Sequence, residues 1–306
     1  MLYSIIMRIF AMLSKYLRYL FKPRCQVDEQ NVEREIVITG PRDVLVFSEK
    51  PSPEQIAVQF GEVASRLPFQ LLTTDLLQEV GPAGSHALRK RLITLGLPEA
   101  EAIEAVCEVL VTLVKLRLSR GYVTDIGDIV KYFSETQTVD GTWITRKVII
   151  PAHIQKPITD ADLGDAESRM QVHLPRLFRR LYAEVGNGGF GPGYGLVTLA
   201  KIIEEYQQQL SIYNACDEDA IELSWPEGLI YLGTEGCTYN FFLDCRDPRY
   251  RVIMFSDSHY QERLEEGMLL LSTTFDDWIG HWAMPDWASE CFATAHAVGD
   301  VSFPAQ

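Results

Sequence analysis

The sequence contains none of the short motifs that bind a metal ion or activate a nucleophile. Its six cysteines form no C-x-x-C pair, its six histidines form no H-E-x-x-H motif, and no Cys/His cluster has zinc-site spacing. A chain of 306 residues needs no disulfide bonds to fold, so reduced thiols are expected. These absences predict a cytoplasmic protein that is not an enzyme and has no catalytic residues, no bound metal and no cofactor.

A glycine-rich run from Gly188 to Gly195 is the one stretch that suggests a phosphate-binding loop. Its glycines do not follow the G-x-G-x-x-G spacing, and Pro192 removes one amide donor. We expect the run to end a helix and form a loop with positive φ angles. The same loop can also be a recognition surface, on which Phe190 and Tyr194 would be displayed.

Negative charge is concentrated in the C-terminal half. Residues 160–306 hold 24 acidic and 9 basic side chains, whereas residues 1–159 hold 18 and 19. Such a domain repels phosphate backbones and attracts basic protein surfaces. The charge can also serve solubility alone, and both interpretations remain open.

Several carboxylates of this half are candidate partner-binding residues. Asp244 and Asp247 lie in a turn that ends at Pro248, without calcium-loop spacing. Asp276 and Asp277 are expected to begin a helix, where carboxylates oppose the helix dipole. The full candidate set is Phe190, Tyr194, Asp244, Asp247, Asp257, Asp276 and Asp277.

Residues 1–24 carry five basic and no acidic side chains, and their apolar residues follow helical spacing. Arg8, Lys15 and Arg18 interrupt the apolar run, so it is too short to span a membrane. We predict a basic amphipathic helix ended by Pro23. Residues 1–22 would lie on the inner membrane surface or pack against protein. A third alternative is that the start codon is misassigned.

The middle of the chain shows a regular pattern. A helix is predicted from Glu99 to Arg120, and two or three strands follow, from the stretches Tyr122–Ile126, Ile129–Phe133 and Thr142–Ile150. Gly121, Val123, Gly127, Gly141 and the run Ile149-Ile150-Pro151-Ala152 carry a resemblance to the histone-like HU fold over about residues 70–155. That resemblance implies an α+β structural or dimerisation domain, and a homodimer through it is possible.

DNA binding through the HU-like domain is an alternative that the charges oppose. The long helix carries Glu99, Glu101, Glu104 and Glu108. The β-arm that the HU resemblance implies after this helix has only three basic residues, Lys131, Arg146 and Lys147. Without phosphate neutralisation, the main source of affinity for nucleic acid is missing.

The landmarks of the C-terminal half are Leu174-Pro175, Asn187-Gly188-Gly189, Leu229–Gly233, Gly236–Asp244 and Phe275 with Trp278. In this order and spacing they resemble the SUKH superfamily over about residues 165–285. That superfamily includes a fungal regulator of cell-wall synthesis and many bacterial immunity proteins. The resemblance implies a mixed α/β domain that binds a protein partner and has no catalytic machinery.

Together these observations predict an α+β, or mixed α/β, protein of two domains. The expected boundaries are the helix at 1–24, an HU-like domain at 25–155, a linker at 156–166 and a SUKH-like domain with a tail at 167–306. The predicted function is an immunity protein that neutralises a basic toxin domain by occlusion. The alternatives are a regulatory or scaffold protein tethered to the inner membrane, and a DNA-associated architectural protein.

Overall fold

The computed structural model describes ten stretches of the chain, and its residues divide into two compact units. The described residues are 34–36, 53–67, 71–125, 129–137, 143–150, 153–214, 225–236, 239–256, 268–272 and 274–290. One unit comprises residues 1–38 and 131–149, and the other comprises 39–130 and 150–306. The mixed α and β character is as predicted, whereas the predicted HU-like two-domain arrangement is not confirmed.

A small antiparallel sheet contains strands β1 (Arg34–Ile36), β2 (Ile129–Gln137) and β3 (Trp143–Ile150) in the order β1-β3-β2. Strands β2 and β3 agree with the predicted arm. Strand β1 pairs with β3, with Arg34 opposite Ile149. The predicted helix at 1–24 lies outside the described residues.

Four helices precede β2 among the described residues, and the last of them agrees with the helix predicted at Glu99–Arg120. They are α1 (Pro53–Arg66), α2 (Thr74–Val80), α3 (Gly84–Thr94) and α4 (Glu99–Ser119), with a 3-10 turn at Gly81–Ala83 between α2 and α3. Helix α4 is buried on most of its surface: Val109, Leu110, Val111, Leu113 and Val114 are at most 3% exposed. A helix that is apolar around most of its circumference lies inside a protein, so α4 is a central element rather than a surface helix.

The described elements after β3 are four helices and the four strands of a second sheet. They are α5 (Asp160–Met170), α6 (Arg176–Glu184), α7 (Leu199–Asn214), β4 (Leu229–Gly236), β5 (Tyr239–Asp244), β6 (Arg251–Ser256), β7 (Met268–Ser272) and α8 (Phe275–Ala283). The strands are antiparallel in the order β4-β5-β6-β7. Side chains alternate between the two faces, so Phe241 and Leu243 join the main core while Phe242 joins a second cluster with Trp225.

One continuous apolar core joins α1–α4 to α5–α8 and β4–β6. Helix α4 packs against α1, α3, α6 and α8. The helices assigned to an HU-like domain therefore share a core with the elements assigned to the following domain. Local sequence patterns cannot reveal this sharing, because they do not show which apolar faces meet.

Helix α5 occupies most of the stretch predicted as a linker. Thr159 begins it through a capping box: the Asp162 amide donates to Thr159 Oγ1 at 3.2 Å, and the Thr159 amide donates to Asp162 Oδ2 at 2.9 Å. Leu163, Ala166 and Met170 are at most 1% exposed and attach α5 to the core. Strand β7 is a second element that the sequence analysis does not predict.

Helices α4 and α6 are joined by a ladder of three ion pairs. Arg176 pairs with Glu104 at 2.7 Å, Arg180 with Glu108 at 2.6 Å, and Lys115 with Glu184 at 3.3 Å. In the sequence alone, the α4 glutamates are evidence only against DNA binding. In the structure, Glu104 and Glu108 link α4 to α6 by neutralising Arg176 and Arg180.

Candidate partner-binding surface

The carboxylate of Asp277, in the first turn of helix α8, is buried and hydrogen-bonded. Asp277 is 2% exposed and accepts a hydrogen bond from the Ser85 amide at 2.7 Å and from Thr274 Oγ1 at 2.8 Å. Ser85 lies in the first turn of α3, so Asp277 satisfies an amide at the N-terminus of a helix distant in sequence. The prediction that Asp277 contacts a partner is corrected: its side chain is inside the protein.

Its neighbour Asp276 is partly buried and close to α3 and α4. Burial, reinforced by the negative charge of Asp277, raises the pKa of Asp276 to about 7, although Arg89 opposes the rise. Asp276 in turn raises the pKa of the buried Cys107 thiol on α4, where burial is the larger cause. Asp276 is therefore a titratable group inside a helix junction, and only part of it faces solvent.

The acidic turn after β5 carries its own counter-ions. Asp244 is 2% exposed and accepts from Arg246 Nε at 2.8 Å and Nη2 at 2.9 Å. Asp247 pairs with Arg249 at 3.0 Å and Arg251 at 2.7 Å. Burial opposes ionisation of Asp247, but the hydrogen bonds from Arg249 and the charge of Arg251 outweigh it and lower its pKa. The carboxylate of Asp244 is not available to a partner, and that of Asp247 is largely neutralised.

The aromatic pair of the glycine-rich loop is split between core and surface. Phe190 is 0% exposed and packs in the main core, so the prediction that this ring is displayed is wrong. Tyr194 is half-buried, and its amide donates to the Thr234 carbonyl at 3.0 Å. Asp257, the remaining candidate, lies outside the described residues.

The loop from Gly186 to Gly195, here called the glycine loop, is paired on one side with residues that follow α4. This entry segment comprises Val123–Asp125. The Gly191 amide donates to the Val123 carbonyl at 3.0 Å, and the Asp125 amide donates to the Gly193 carbonyl at 3.2 Å. Asp125 Oδ2 also accepts from the Gly193 amide at 2.8 Å. The chain's own backbone therefore occupies this edge of the glycine loop.

The other side of the glycine loop is paired with residues that follow β3. This exit segment comprises His153–Gln155. The Asn187 amide donates to the Gln155 carbonyl at 3.0 Å, and the Gln155 amide donates to the Gly188 carbonyl at 3.3 Å. Gly189 has a φ of +82°, and a Cβ there would overlap the carbonyl oxygen of His153. The glycines permit close backbone approach, as predicted for a positive-φ loop, and leave little of the loop for an external ligand.

Part of the chain is similar to a known protein family. Residues 157–281 match the SMI1 / KNR4 family (SUKH-1). We call this range, which is similar to that family, the SUKH segment. It contains α5–α8 and the four-stranded sheet, and it confirms the resemblance drawn from Leu174-Pro175, Asn187-Gly188-Gly189 and Phe275 with Trp278. No curated protein matches the chain.

Several exposed carboxylates of the SUKH segment lie on α5 and α7, and neither helix contains a residue of the predicted set. The side chains of Asp160, Asp165 and Glu204 are 81%, 68% and 64% exposed. Each has a cationic neighbour, Arg179, Arg169 or Lys201, at 3.0 to 3.8 Å. Asp160 and Asp165 lie in the stretch predicted as a linker, so their place on a helix is not expected from the sequence, although the Thr159 capping box is a local signal for that helix.

The thiols of the described residues are not poised for nucleophilic attack. Burial raises the pKa of Cys107 to about 12 and also raises the pKa of Cys245, with a contribution from Asp244. Within the part of the chain that the structure describes, no group of three or more His, Cys, Asp or Glu side chains has metal-site geometry. Nor does any described helix have the length and apolarity to cross a membrane.

Proposed function

We propose that the SUKH segment binds a protein partner and that the chain is a bacterial immunity protein that neutralises a toxin by occlusion. The observation that carries the proposal is the family match together with the charge of the matched residues. Residues 157–281 hold 21 acidic and nine basic side chains. A net charge of this sign and size favours a basic partner over nucleic acid or an acidic protein. A cytoplasmic regulator that binds another basic protein is the nearest alternative.

The exposed carboxylates of α5 and α7 supply the contact surface in this proposal. Asp244, Asp277 and Phe190 are buried, and the glycine loop is occupied by the entry and exit segments. The ion pairs of Asp165 and Glu204 are exposed, so they are worth little to the free protein and can be exchanged for contacts with a partner. Charge attraction accelerates the encounter, and apolar contacts at the interface slow release.

Charge reversal on α5 and α7 tests this surface. The double variant Asp165→Lys/Glu204→Lys and the control Glu101→Lys, an exposed reversal on α4 outside the SUKH segment, are used as baits for proteins of the native cell. We expect a basic toxin domain to be captured by wild type and by the control, and its retention to fall about tenfold in the double variant and at high salt. Retention that ignores both charge reversal and salt contradicts the proposal. A captured partner without toxin activity favours the regulatory alternative.

The proposal includes the absence of catalysis. The buried thiols and the paired carboxylates of the described residues support it, because a nucleophile needs an accessible and activated group. Purified full-length protein is expected to leave the captured partner chemically unchanged while inhibiting it at a one-to-one ratio. Partner inactivation by substoichiometric protein would indicate turnover and would overturn this part of the proposal.

A tether to an anionic membrane is a second candidate function. The observation that favours it is the unequal distribution of basic and acidic residues between the two compact units. The unit of residues 1–38 and 131–149 holds nine basic and six acidic side chains, whereas the other holds 19 and 36. A basic amphipathic segment gains affinity from anionic lipid. Co-sedimentation with phosphatidylserine vesicles, but not with phosphatidylcholine vesicles, is expected for the full chain. Deletion of residues 1–22 should abolish it, and equal binding to both vesicle types would refute it.

A further inference from the structure

The residues that follow α8 pack back into the core. Residues 284–288, here called the Trp287 segment, lie beyond the range 157–281 that is similar to the family. Met284, Trp287 and Ala288 are at most 1% exposed, and Trp287 is the largest fully buried side chain among the described residues. The Trp287 segment is therefore part of the core, although the family match does not include it.

Two glycines on separate elements leave room for the indole ring of Trp287. A Cβ at Gly280 of α8 would overlap this ring, and a Cβ at Gly81 would lie 3.6 Å from its Cε3. The Ala288 amide also donates to the Gly81 carbonyl at 2.8 Å, in the 3-10 turn between α2 and α3. The Trp287 segment thus links α8 to the turn that precedes α3, with the indole in a slot between the two glycines.

Two features of the Trp287 segment oppose its position in this slot. The indole Nε1 of Trp287 is buried and has no hydrogen-bond partner within the described part of the chain, so it loses its hydration without compensation. Ala288 has a φ of +54°, in the left-handed region that is unfavourable for a residue with a Cβ. Both penalties fall on adjacent residues, and both would be relieved if the segment left the slot.

We propose that the Trp287 segment is a latch, closed in this structure and able to open while the rest of the protein stays folded. Burial of the indole ring and of Met284 favours the closed form. The unpaired Nε1 and the left-handed backbone of Ala288 favour the open form, and strain of this kind often marks segments that switch. Opening would uncover the slot and remove one link between α8 and the turn before α3. This inference does not depend on which partner the SUKH segment binds.

Hydrogen exchange of the full chain, resolved to single positions, tests whether the latch opens by itself. The reporters are the Ala288 amide and the indole N–H of Trp287, and the amide of the buried Leu110 in α4 reports unfolding of the core. We expect both latch reporters to exchange at least about a hundredfold faster than Leu110, after correction for intrinsic rates. Equal protection at the three positions would mean that the segment opens only when the core unfolds, which would overturn the proposal.

A glycine substitution tests whether the left-handed backbone favours opening. Ala288→Gly removes the Cβ that makes a φ of +54° unfavourable, so exchange at the amide of residue 288 and at the indole should slow about threefold. Ser289→Gly is the matched control: Ser289 is the next residue and does not have a positive φ, so glycine there should not slow exchange. If Ala288→Gly leaves exchange unchanged or accelerates it, the strain does not oppose closure and the latch is refuted.

Discussion

The carboxyl group of Asp276 provides a quantitative test of the junction between α3, α4 and α8. Its pKa is raised from 3.8 to about 7 by burial and by the adjacent Asp277, with Arg89 acting in the opposite direction. The folded protein therefore binds a proton at Asp276 more tightly than the unfolded chain does. For a carboxyl with a raised folded pKa, stability increases as the pH falls through the folded value and levels off below the unfolded one.

The size of the effect follows from the interval between the two pKa values. Each pH unit within the interval is worth about 1.4 kcal/mol, so the whole interval has an upper limit of about 4 kcal/mol. Partial exposure of Asp276 to solvent reduces this contribution. We expect about 1 to 2 kcal/mol more stability from this group near pH 5 than near pH 8.

The assay is urea unfolding of wild type and Asp276→Asn across this pH range. Asparagine preserves the shape of the protonated carboxyl but cannot ionise, so the variant should be more stable than wild type near pH 8, and the difference should shrink as the pH falls. Asp165→Asn, at an exposed carboxylate, controls for general charge effects. Parallel stability curves for wild type and Asp276→Asn would refute the assignment of a raised pKa to Asp276.

Three further predictions concern stability, measured by chemical unfolding or circular dichroism. Arg180→Ala should lower the free energy of unfolding by about 1 to 2 kcal/mol, because it leaves the partly buried Glu108 unpaired. The control Arg169→Ala, at an exposed ion pair, should change it by less than about 0.5 kcal/mol. Equal effects of the two variants would show that the α4–α6 ion pairs do not stabilise the fold. Asp277→Ala should cost about 2 to 4 kcal/mol because the buried Ser85 amide loses its acceptor, and a neutral result would contradict this role. The isolated fragment 157–306 should be unfolded because α4 completes its core, and a cooperative thermal transition in that fragment would show otherwise.

The elements that the sequence predicts well are those with strong local signals. Helix α4 begins after Pro98 and ends before Gly121, close to the predicted limits, because a proline and a positive-φ glycine define its ends. Strand β4 begins with the landmark Leu229–Gly233, and β5 lies within the landmark Gly236–Asp244. The linker prediction is wrong for residues 160–166, which belong to α5. Pro157 and Gly164 are residues typical of a linker, whereas the Thr159 capping box indicates a helix. The burial of Leu163 in the core, which decides between them, is not visible in the sequence.

The candidate site is predicted less well than the fold, since residue type does not reveal exposure. Phe190 and Asp277 have the chemistry of an interface, yet both are buried. Asp244 and Asp247 are acidic, yet arginines of the same turn and of β6 neutralise them. Which carboxylates face solvent depends on contacts made by residues far apart in the chain, and these contacts leave no short-range pattern.

The sequence by itself determined the SUKH resemblance, the acidic character of the C-terminal half and the positions of most helices and strands, because these depend on composition and on neighbouring residues. Only the tertiary structure decided that α4 lies in the same core as the SUKH segment, that Glu104 and Glu108 bind the arginines of α6, and that the glycine loop holds the entry and exit segments. The physical reason is that a buried face, an ion pair between helices and a backbone pairing each require two distant segments to meet.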